Sequence, residues 1–515
     1  MAALATSTKV AVIGAGAMGS GIAHVAARAG HTVYLYDMNA DAVARGKAGI
    51  EKDLRFLVGK GKLAEAECAA TLARVVSSSR IEDLADAGLL IEAIVENLEI
   101  KQKLFRQLED MVGAEAILAT NTSSLSITAM GAALTRPARL AGLHFFNPAP
   151  RMALVEIVSG LPTDAEVATT LYDTARAWGK VPVRATSTPG FIVNRVARPY
   201  YAEGLRVLAE RAATPATVDA ILREACNFPM GPFELMDLIG HDVNYAVTRS
   251  VFDAYFGDKR FTPSLIQQEL VLAGRLGRKS GQGFYDYRDG AVKPVATTES
   301  PAVAVRAVTA IGHLGVAEAL LARFEAAGIE VRREAGEGSG CLRIGAARLA
   351  LSDGRTATRR AAEEVTPDLV LFDLARDYAL TPRLALSRAD QCGEQAWCDA
   401  VGTLQATGIA VSRVDDIPGL LALRTVCMLA NEAADGVVQG IASAADIDTA
   451  MRYGTNYPEG PLAWAGRMGA SFVTRVLLNL REHYGEERYR VSPLLLRCAQ
   501  GGSDLLSAEG QSPAI

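Results

Sequence analysis

Short, mostly apolar runs take turns along the first half of the chain with longer stretches in which apolar residues recur every three or four positions. The runs at 9–13, 32–36, 89–94 and 116–119 predict buried strands, and the stretches at 20–29 and 99–111 predict helices. Two further apolar runs, 140–143 and 154–158, complete the series. Strands buried on both faces and joined through helices predict an α/β fold with a doubly wound parallel sheet, whose ligands bind beyond the carboxyl ends of the strands. After about Pro189 the pattern turns helical, with a long amphipathic segment at 190–213, a second at 217–226 and a third introduced by Pro229-Met230-Gly231-Pro232. A polar stretch at 288–300 has no period and reads as a linker.

Beyond the linker the chain repeats itself. Shifted by 229 residues, Pro189-Gly190 falls on Pro418-Gly419, Arg195 on Arg424, Glu203 on Glu432 and Asp219 on Asp448. The same shift lays Asn227, Pro229, Gly231 and Pro232 on Asn456, Pro458, Gly460 and Pro461. Shifted by 298, Ile13-Gly14 falls on Ile311-Gly312, Ala29-Gly30 on Ala327-Gly328 and Val33 on Val331. The shifts differ by 69 residues, so the second α/β copy is expected to be shortened. The expected division is an α/β domain at 1–187, a helical domain at 188–287, a linker at 288–300, a degenerate α/β unit at 301–412, a second helical domain at 413–502 and a tail at 503–515.

At 515 residues, 50% hydrophobic and 22% charged, the chain is too long for one core. No apolar run reaches the length of a membrane span, and 1–8 lacks the regions of a signal peptide, so a cytoplasmic protein without a membrane partner is expected. A net charge of −5 argues against nucleic acid as the main partner. The seven cysteines are scattered, with no C-x-x-C pair, and read as reduced thiols and not as a disulfide frame or metal site.

The candidate chemistry lies at strand ends. Gly14-Ala15-Gly16-Ala17-Met18-Gly19 stands between a predicted strand and helix. Gly14 permits the tight turn, Gly16 lets backbone approach a pyrophosphate, and Gly19 lets helix and strand pack closely, as in a Rossmann-type dinucleotide site. Asp37, at the end of the second strand, can accept from ribose hydroxyls and would repel a 2′-phosphate, so NAD is expected over NADP. Leu143-His144-Phe145-Phe146-Asn147-Pro148 and, twelve residues past the histidine, Glu156 offer a general base and the carboxylate that orients it. In the second copy Leu314, Ala317 and Ala335 stand where Gly16, Gly19 and Asp37 stand, and no histidine lies between His313 and His483. That copy is therefore expected to lack a cofactor and a counterpart of His144, as the decayed half of a duplicated gene.

The glycine run, Asn121-Thr122-Ser123-Ser124, His144-Phe145-Phe146-Asn147-Pro148, Thr188-Pro189-Gly190-Phe191-Ile192-Val193-Asn194-Arg195 and Gly231-Pro232-Phe233-Glu234 together resemble the 3-hydroxyacyl-CoA dehydrogenases, from about residue 8 to 287. The long bacterial form with a second helical domain is most similar, including members assigned to phenylacetate breakdown. The resemblance implies oxidation of an (S)-3-hydroxyacyl-CoA to the 3-oxoacyl-CoA, with His144 taking the C3 hydroxyl proton and Glu156 holding the imidazole. It implies that Ser123 and Asn194 bond substrate oxygens, that Asn147 buttresses the histidine or the substrate, and that Met18, Glu96, Lys101 and Asn121 belong to the cofactor site. Lys60 matches a CoA contact, with Arg55 and Lys62 adding charge nearby. On the residues alone Ser123 is equally a helix cap, Asn194 a helix-start polar residue, and Lys60-Gly61-Lys62 a solvated helix end.

The acyl chain is expected to be short or dicarboxylic, 3-hydroxybutyryl or 3-hydroxyadipyl, in fatty-acid β-oxidation or phenylacetate catabolism. A basic residue aimed at a distal carboxylate would favour the latter, and Arg198, Arg206 and Arg249 are candidates. Residues 415–502 are expected to pack on 189–287 as an intrachain pseudo-twofold dimer, with a further homo-oligomer possible. Alternatives are a dehydrogenase of a free hydroxy acid or sugar acid and a non-catalytic scaffold, the latter disfavoured by the intact Gly14, Asp37, His144, Glu156 and Asn194.

Overall fold

The computed structural model describes residues 3–336 and 340–507, so the expected tail lies outside the described residues from 508 onward. The described residues form two compact units, one of residues up to 195 together with 439–455, the other of 196–438 together with 456–507.

The first unit is built on β1 (Val10–Ile13), β2 (Val33–Tyr36), β3 (Val75–Ser78), β4 (Leu89–Glu92), β5 (Ile117–Thr120), β6 (Leu140–Phe145), β7 (Leu154–Ser159) and β8 (Val181–Thr186). They lie in the order β3-β2-β1-β4-β5-β6-β7-β8. Val12, Leu35, Ile91, Ala119, Leu143 and Ile157 of this sheet share one core with Ile22 and Ala26 of the helix Ala17–Arg28. The doubly wound sheet is parallel except at one place, where β6 and β7 run antiparallel. Only eight residues join them, too few for the crossover a parallel pair needs. The apolar pattern also gave no sign of β3, β8 or the paired helices Ala40–Gly59 and Glu65–Arg74.

β8 is an edge strand, and the chain covers it from far along the sequence. Thr186 N donates to Ile441 O at 2.8 Å, and the helix Ala444–Gly454 lies on β7 and β8. Gly454 fits closely here, since an added Cβ would come within 2.5 Å of Leu154 and 3.0 Å of Val193. The expected second helical domain is thus divided, its residues 439–455 belonging to the first unit.

The second unit holds the helices Arg198–Ala209, Pro215–Glu224, Pro232–Ile239, His241–Ala254 and Leu265–Leu272 and, shifted by 229, their counterparts Ala422–Val438, Pro461–Met468, Ala470–Tyr484 and Pro493–Gly501. The single helix expected at 190–213 is interrupted at Ala197, and Pro199 sits in the first turn of the helix that starts at Arg198. Backbone conformation repeats with the sequence. Positive φ occurs at Gly190 and Gly419, Phe191 and Leu420, Arg211 and Gly440, Asn227 and Asn456, Gly240 and Gly469, and Phe256 and Gly485.

This unit also holds a second sheet of β9 (Ala307–Ile311), β10 (Glu330–Glu334), β11 (Cys341–Ile344), β12 (Ala347–Leu351), β13 (Leu369–Phe372), β14 (Arg383–Arg388) and β15 (Ala410–Arg413), in the order β10-β9-β11-β12-β13-β14-β15. The antiparallel register Phe372↔Leu386 repeats Leu143↔Ile157 at a shift of 229. The shift of 298 therefore holds only for β9 and β10, and the missing residues come from between β10 and β12. In their place is β11, antiparallel to both neighbours. The same register sets Asp373, and not a histidine, at the position of His144. Among the described residues no helix is long and apolar enough to cross a membrane.

Candidate active site

Antiparallel pairing makes His144 and Glu156 direct cross-strand partners. His144 Nδ1 lies 2.6 Å from Glu156 Oε2, with the imidazole 5% exposed and the carboxylate fully buried. The other oxygen, Oε1, accepts from Ile192 N at 3.1 Å and Val193 N at 3.0 Å. Phe146 and Phe191 flank the imidazole, with ring centroids at 4.5 and 5.8 Å. Sequence reasoning quoted both aromatics in motifs but assigned them no part, and it missed the amide latch altogether. That latch had no signal in the spacing, because it depends on where the chain returns after β8.

Asn194 follows the latched amides directly. Its side chain is half-buried and makes no hydrogen bond among the described residues, and the same is true of the Ser123 hydroxyl. Asn121 Oδ1 accepts from Phe145 N at 2.8 Å and so ties the end of β5 to the end of β6. Ser123 N, Thr122 Oγ1 and Ser124 Oγ all donate to Glu96 Oε1. Burial pushes the Glu96 carboxyl up, but Lys101 and the two hydroxyls outweigh it and hold the group below its ordinary range.

Lys101 is 1% exposed, and its ammonium sits 2.6 Å from Glu92 and 3.1 Å from Glu96, so it steadies the carboxylate that gathers the end of β5. Asn147 is exposed and makes no hydrogen bond to His144, which leaves the substrate as the other group it was expected to buttress. Beside the imidazole its place is taken by Glu156 and the two rings. Lys60 ends the helix Ala40–Gly59 in solvent with its ammonium over the Phe56 ring, and it does not bond to the cluster. Among the described residues no group of three or more His, Cys, Asp or Glu could hold a metal ion.

The glycine run fits a dinucleotide. Gly14 has φ +105°, and an added Cβ would come within 2.5 Å of Ala93 O. At Gly19 a Cβ would meet Gly14 O at 1.7 Å, so helix and turn can touch only through glycine. Gly16 instead faces open space and stands at the N-cap of the helix Ala17–Arg28 without a side-chain cap. Met18 lies half-buried in the first turn of that helix. The first amides of the helix are thus free to meet a pyrophosphate. Asp37 Oδ2 accepts from Ala15 N at 2.8 Å, tying the end of β2 to the turn.

Comparison with known proteins agrees with this geometry. Residues 9–188 match the 3-hydroxyacyl-CoA dehydrogenase NAD binding domain. Residues 190–287 and again 419–504 match the 3-hydroxyacyl-CoA dehydrogenase C-terminal domain. Residues 349–418 match the 3-hydroxybutyryl-CoA dehydrogenase reduced Rossmann-fold domain. The chain is 47% identical over 486 residues to the 3-hydroxyadipyl-CoA dehydrogenase of Escherichia coli (strain K12), covering 94% of this chain and 96% of that one. It is 44% identical over 279 residues to a probable 3-hydroxybutyryl-CoA dehydrogenase of Deinococcus radiodurans, covering 54% of this chain and 100% of the relative. A solved structure of 3-hydroxybutyryl-CoA dehydrogenase from Escherichia coli K12 superposes with a TM-score of 0.88 at 45% identity, covering 96% of this chain and 100% of that one. The chain therefore belongs to the 3-hydroxyacyl-CoA dehydrogenase family, as an NAD-dependent oxidoreductase with a second, reduced α/β copy.

Proposed function

We propose that the protein oxidises (S)-3-hydroxyacyl-CoA to 3-oxoacyl-CoA, on short or dicarboxylic acyl chains such as 3-hydroxybutyryl and 3-hydroxyadipyl, in cytoplasmic fatty-acid or phenylacetate catabolism. The observation that carries this reading is the buried His144–Glu156 pair, with Glu156 latched to the amides that precede Asn194. NAD, when bound, supplies the acceptor for the hydride that leaves C3. Glu156 accepts from Nδ1–H and so leaves the lone pair on Nε2, where His144 takes the C3 hydroxyl proton. As the imidazole gains charge, the neighbouring carboxylate offsets it at no cost of reorganisation. Ser123 and Asn194, both uncommitted, hold the substrate oxygens and set C3 in place. Gly14, Gly16, Met18, Gly19, Asp37, Glu96, Lys101 and Asn121 form the cofactor site, and Lys60 remains the candidate CoA contact. In this reading 1–187 binds NAD, 188–287 and 413–502 are the helical copies, and 301–412 is a spacer. NADH formation from 3-hydroxybutyryl-CoA and 3-hydroxyadipyl-CoA, followed at 340 nm as a roughly hundredfold or greater excess over the His144→Ala variant, tests it; equal rates would refute it.

The second helical copy acts, on this proposal, as a built-in partner of the first. The helix Arg198–Ala209 packs on its counterpart Ala422–Val438. Phe228 and Tyr457, equivalent positions in the two copies, meet edge to face at 5.0 Å, as residues on a pseudo-twofold axis must. Arg206 bonds Tyr489 while Arg260 bonds Asp435, and the shift of 229 exchanges one pair for the other.

A further inference from the structure

Five residues close a ring at the carboxyl ends of β4 and β5, within the first unit. Glu92, the last residue of β4, is fully buried. Its Oε1 accepts from Ile94 N at 2.7 Å and from the Lys101 ammonium at 2.6 Å, and its Oε2 accepts from Thr120 Oγ1 at 2.6 Å. Thr120, the last residue of β5 and also fully buried, accepts in turn from Thr122 N at 3.1 Å. The Thr122 hydroxyl donates to Glu96, and Lys101 joins Glu96 back to Glu92. A buried polar network with every member satisfied is rigid, and the loss of one member leaves others without partners. The ring clamps two segments with different neighbours. Residues 92–97 lie against the glycine turn, where Ala93 N donates to Ile13 O at 2.8 Å and the Ala93 carbonyl leaves no room for a side chain at Gly14. Residues 120–124 carry Ser123, whose hydroxyl makes no hydrogen bond among the described residues, and Asn121, which reaches Phe145 N beside His144.

We propose that Glu92 and Thr120 are positioning residues that couple the cofactor and substrate sites, so that each ligand tightens the hold on the other. The inference rests on the dehydrogenase reading above, with Glu96 on the cofactor and Ser123 on the substrate, and goes beyond it in naming two buried residues that touch neither ligand. The segments meet by side chain at two places. One is the dry Glu92–Thr120 bond, and the other is Glu96, whose Oε1 accepts from Ser123 N at 3.2 Å and Ser124 Oγ at 3.0 Å. A ligand that orders one segment therefore orders its neighbour through the ring, which leaves less to be ordered when the second ligand arrives. The effect is reciprocal, because both ligands draw on the same equilibrium.

The test titrates NADH by its fluorescence into the full chain, with and without saturating 3-hydroxybutyryl-CoA or 3-hydroxyadipyl-CoA, whichever the native protein oxidises. NADH and a hydroxyacyl-CoA are both reduced, so the pair binds without reacting. In the native protein the acyl-CoA should lower the Kd of NADH about tenfold. Thr120→Val keeps nearly the same shape but loses the hydroxyl, and the ratio of the two Kd values should fall toward one, while Thr120→Ser should restore most of it. A merely structural role would weaken both affinities alike and leave the ratio as it was. That result overturns the proposal, and so does a native ratio of one. Should Thr120→Val fold poorly, hydrogen exchange of the native protein decides. The acyl-CoA alone should slow exchange of the amides at 93–97, and protection confined to 120–124 overturns the coupling. A native protein that oxidises neither substrate refutes the dehydrogenase reading itself, whereas oxidation with independent binding of the two ligands refutes only the role of Glu92 and Thr120.

Discussion

The two oxygens of Glu156 serve different parts of the chain, one holding the imidazole and the other closing the amides of Ile192 and Val193. In the reduced copy only the second duty survives. Asp373, at the position of His144, accepts from Leu421 N and Ala422 N, the counterparts of those two amides, while Ala385 stands where Glu156 stood. Burial pushes the Asp373 carboxyl up to about 6 against the pull of these amides. His144→Ala should thus lower turnover by about two orders of magnitude or more with NAD affinity nearly intact, as read by single-turnover kinetics and cofactor titration. Glu156→Gln should do the same, while Glu156→Ala should in addition cost about 1–3 kcal/mol in chemical denaturation, because two buried amides lose their acceptor. Near-native turnover in His144→Ala and Glu156→Gln would sink the mechanism. Asp37→Asn should weaken the preference for NAD over NADP by roughly tenfold, since the carboxylate both binds the ribose diol and repels phosphate; a native enzyme that uses both cofactors equally would contradict this. The histidine, its carboxylate and the glycine run were legible in the sequence because each is a short local pattern. The burial of Lys101 was not, since nothing local to Lys101 says that Glu92 and Glu96 will both turn toward it.

At the scale of elements, the helix Arg198–Ala209 and its counterpart Ala422–Val438 are joined by charge in a dry setting. Arg424, fully buried, reaches Glu203 at 2.5 Å and Glu210 at 3.2 Å. Burial pushes the Glu203 carboxyl up, yet Arg206 and Arg424 together carry it below the ordinary carboxylate range. Its folded value lies below its unfolded one, so the stability it contributes is present above about pH 4.5 and is lost as pH falls through the folded value. Glu203→Ala should cost about 3 kcal/mol near pH 7, because a buried guanidinium loses its partner, and should flatten the acid limb of the stability curve. Equal melting temperatures for variant and parent between pH 7 and pH 4 would rule this out. Six of the eight strands of the first sheet, and the helices Ala17–Arg28 and Leu98–Met111, were readable from their periods. The direction of β7 was not, because an apolar strand looks the same in a parallel or an antiparallel pair, and only the short connection after Phe145 distinguishes them.

For the whole molecule, the two copies exchange helices. Pro215–Glu224 of the first lies on β14 of the second sheet, where Glu224 meets Arg383 at 2.9 Å, and its counterpart Ala444–Gly454 lies on β7 and β8 of the first. The sequence revealed the repeat but not this exchange, since a shift between copies carries no information about which sheet each helix covers. Truncation after Ser300 removes the partner of Arg198–Ala209 and the cover of β8 at once. Aggregation or a new homodimer is expected by light scattering, with His144 and Glu156 still in place. A truncated protein that stays monomeric and as stable as its parent would overturn the built-in partner. The reduced copy should bind no nucleotide in equilibrium dialysis, because Leu314 stands at the position where the first copy leaves Gly16 open.

The return of residues 439–455 to the first unit also sets a schedule for biosynthesis. A ribosome that has finished Arg195 must add about 260 further residues before the edge of β8 receives its cover, a wait of about 10 to 50 s at ordinary elongation rates. Through that interval the catalytic unit is a nascent chain with an open strand, a natural client for holdase chaperones. Chains arrested near residue 300 should be cut by protease around 181–195 far more readily than chains arrested well past Thr455.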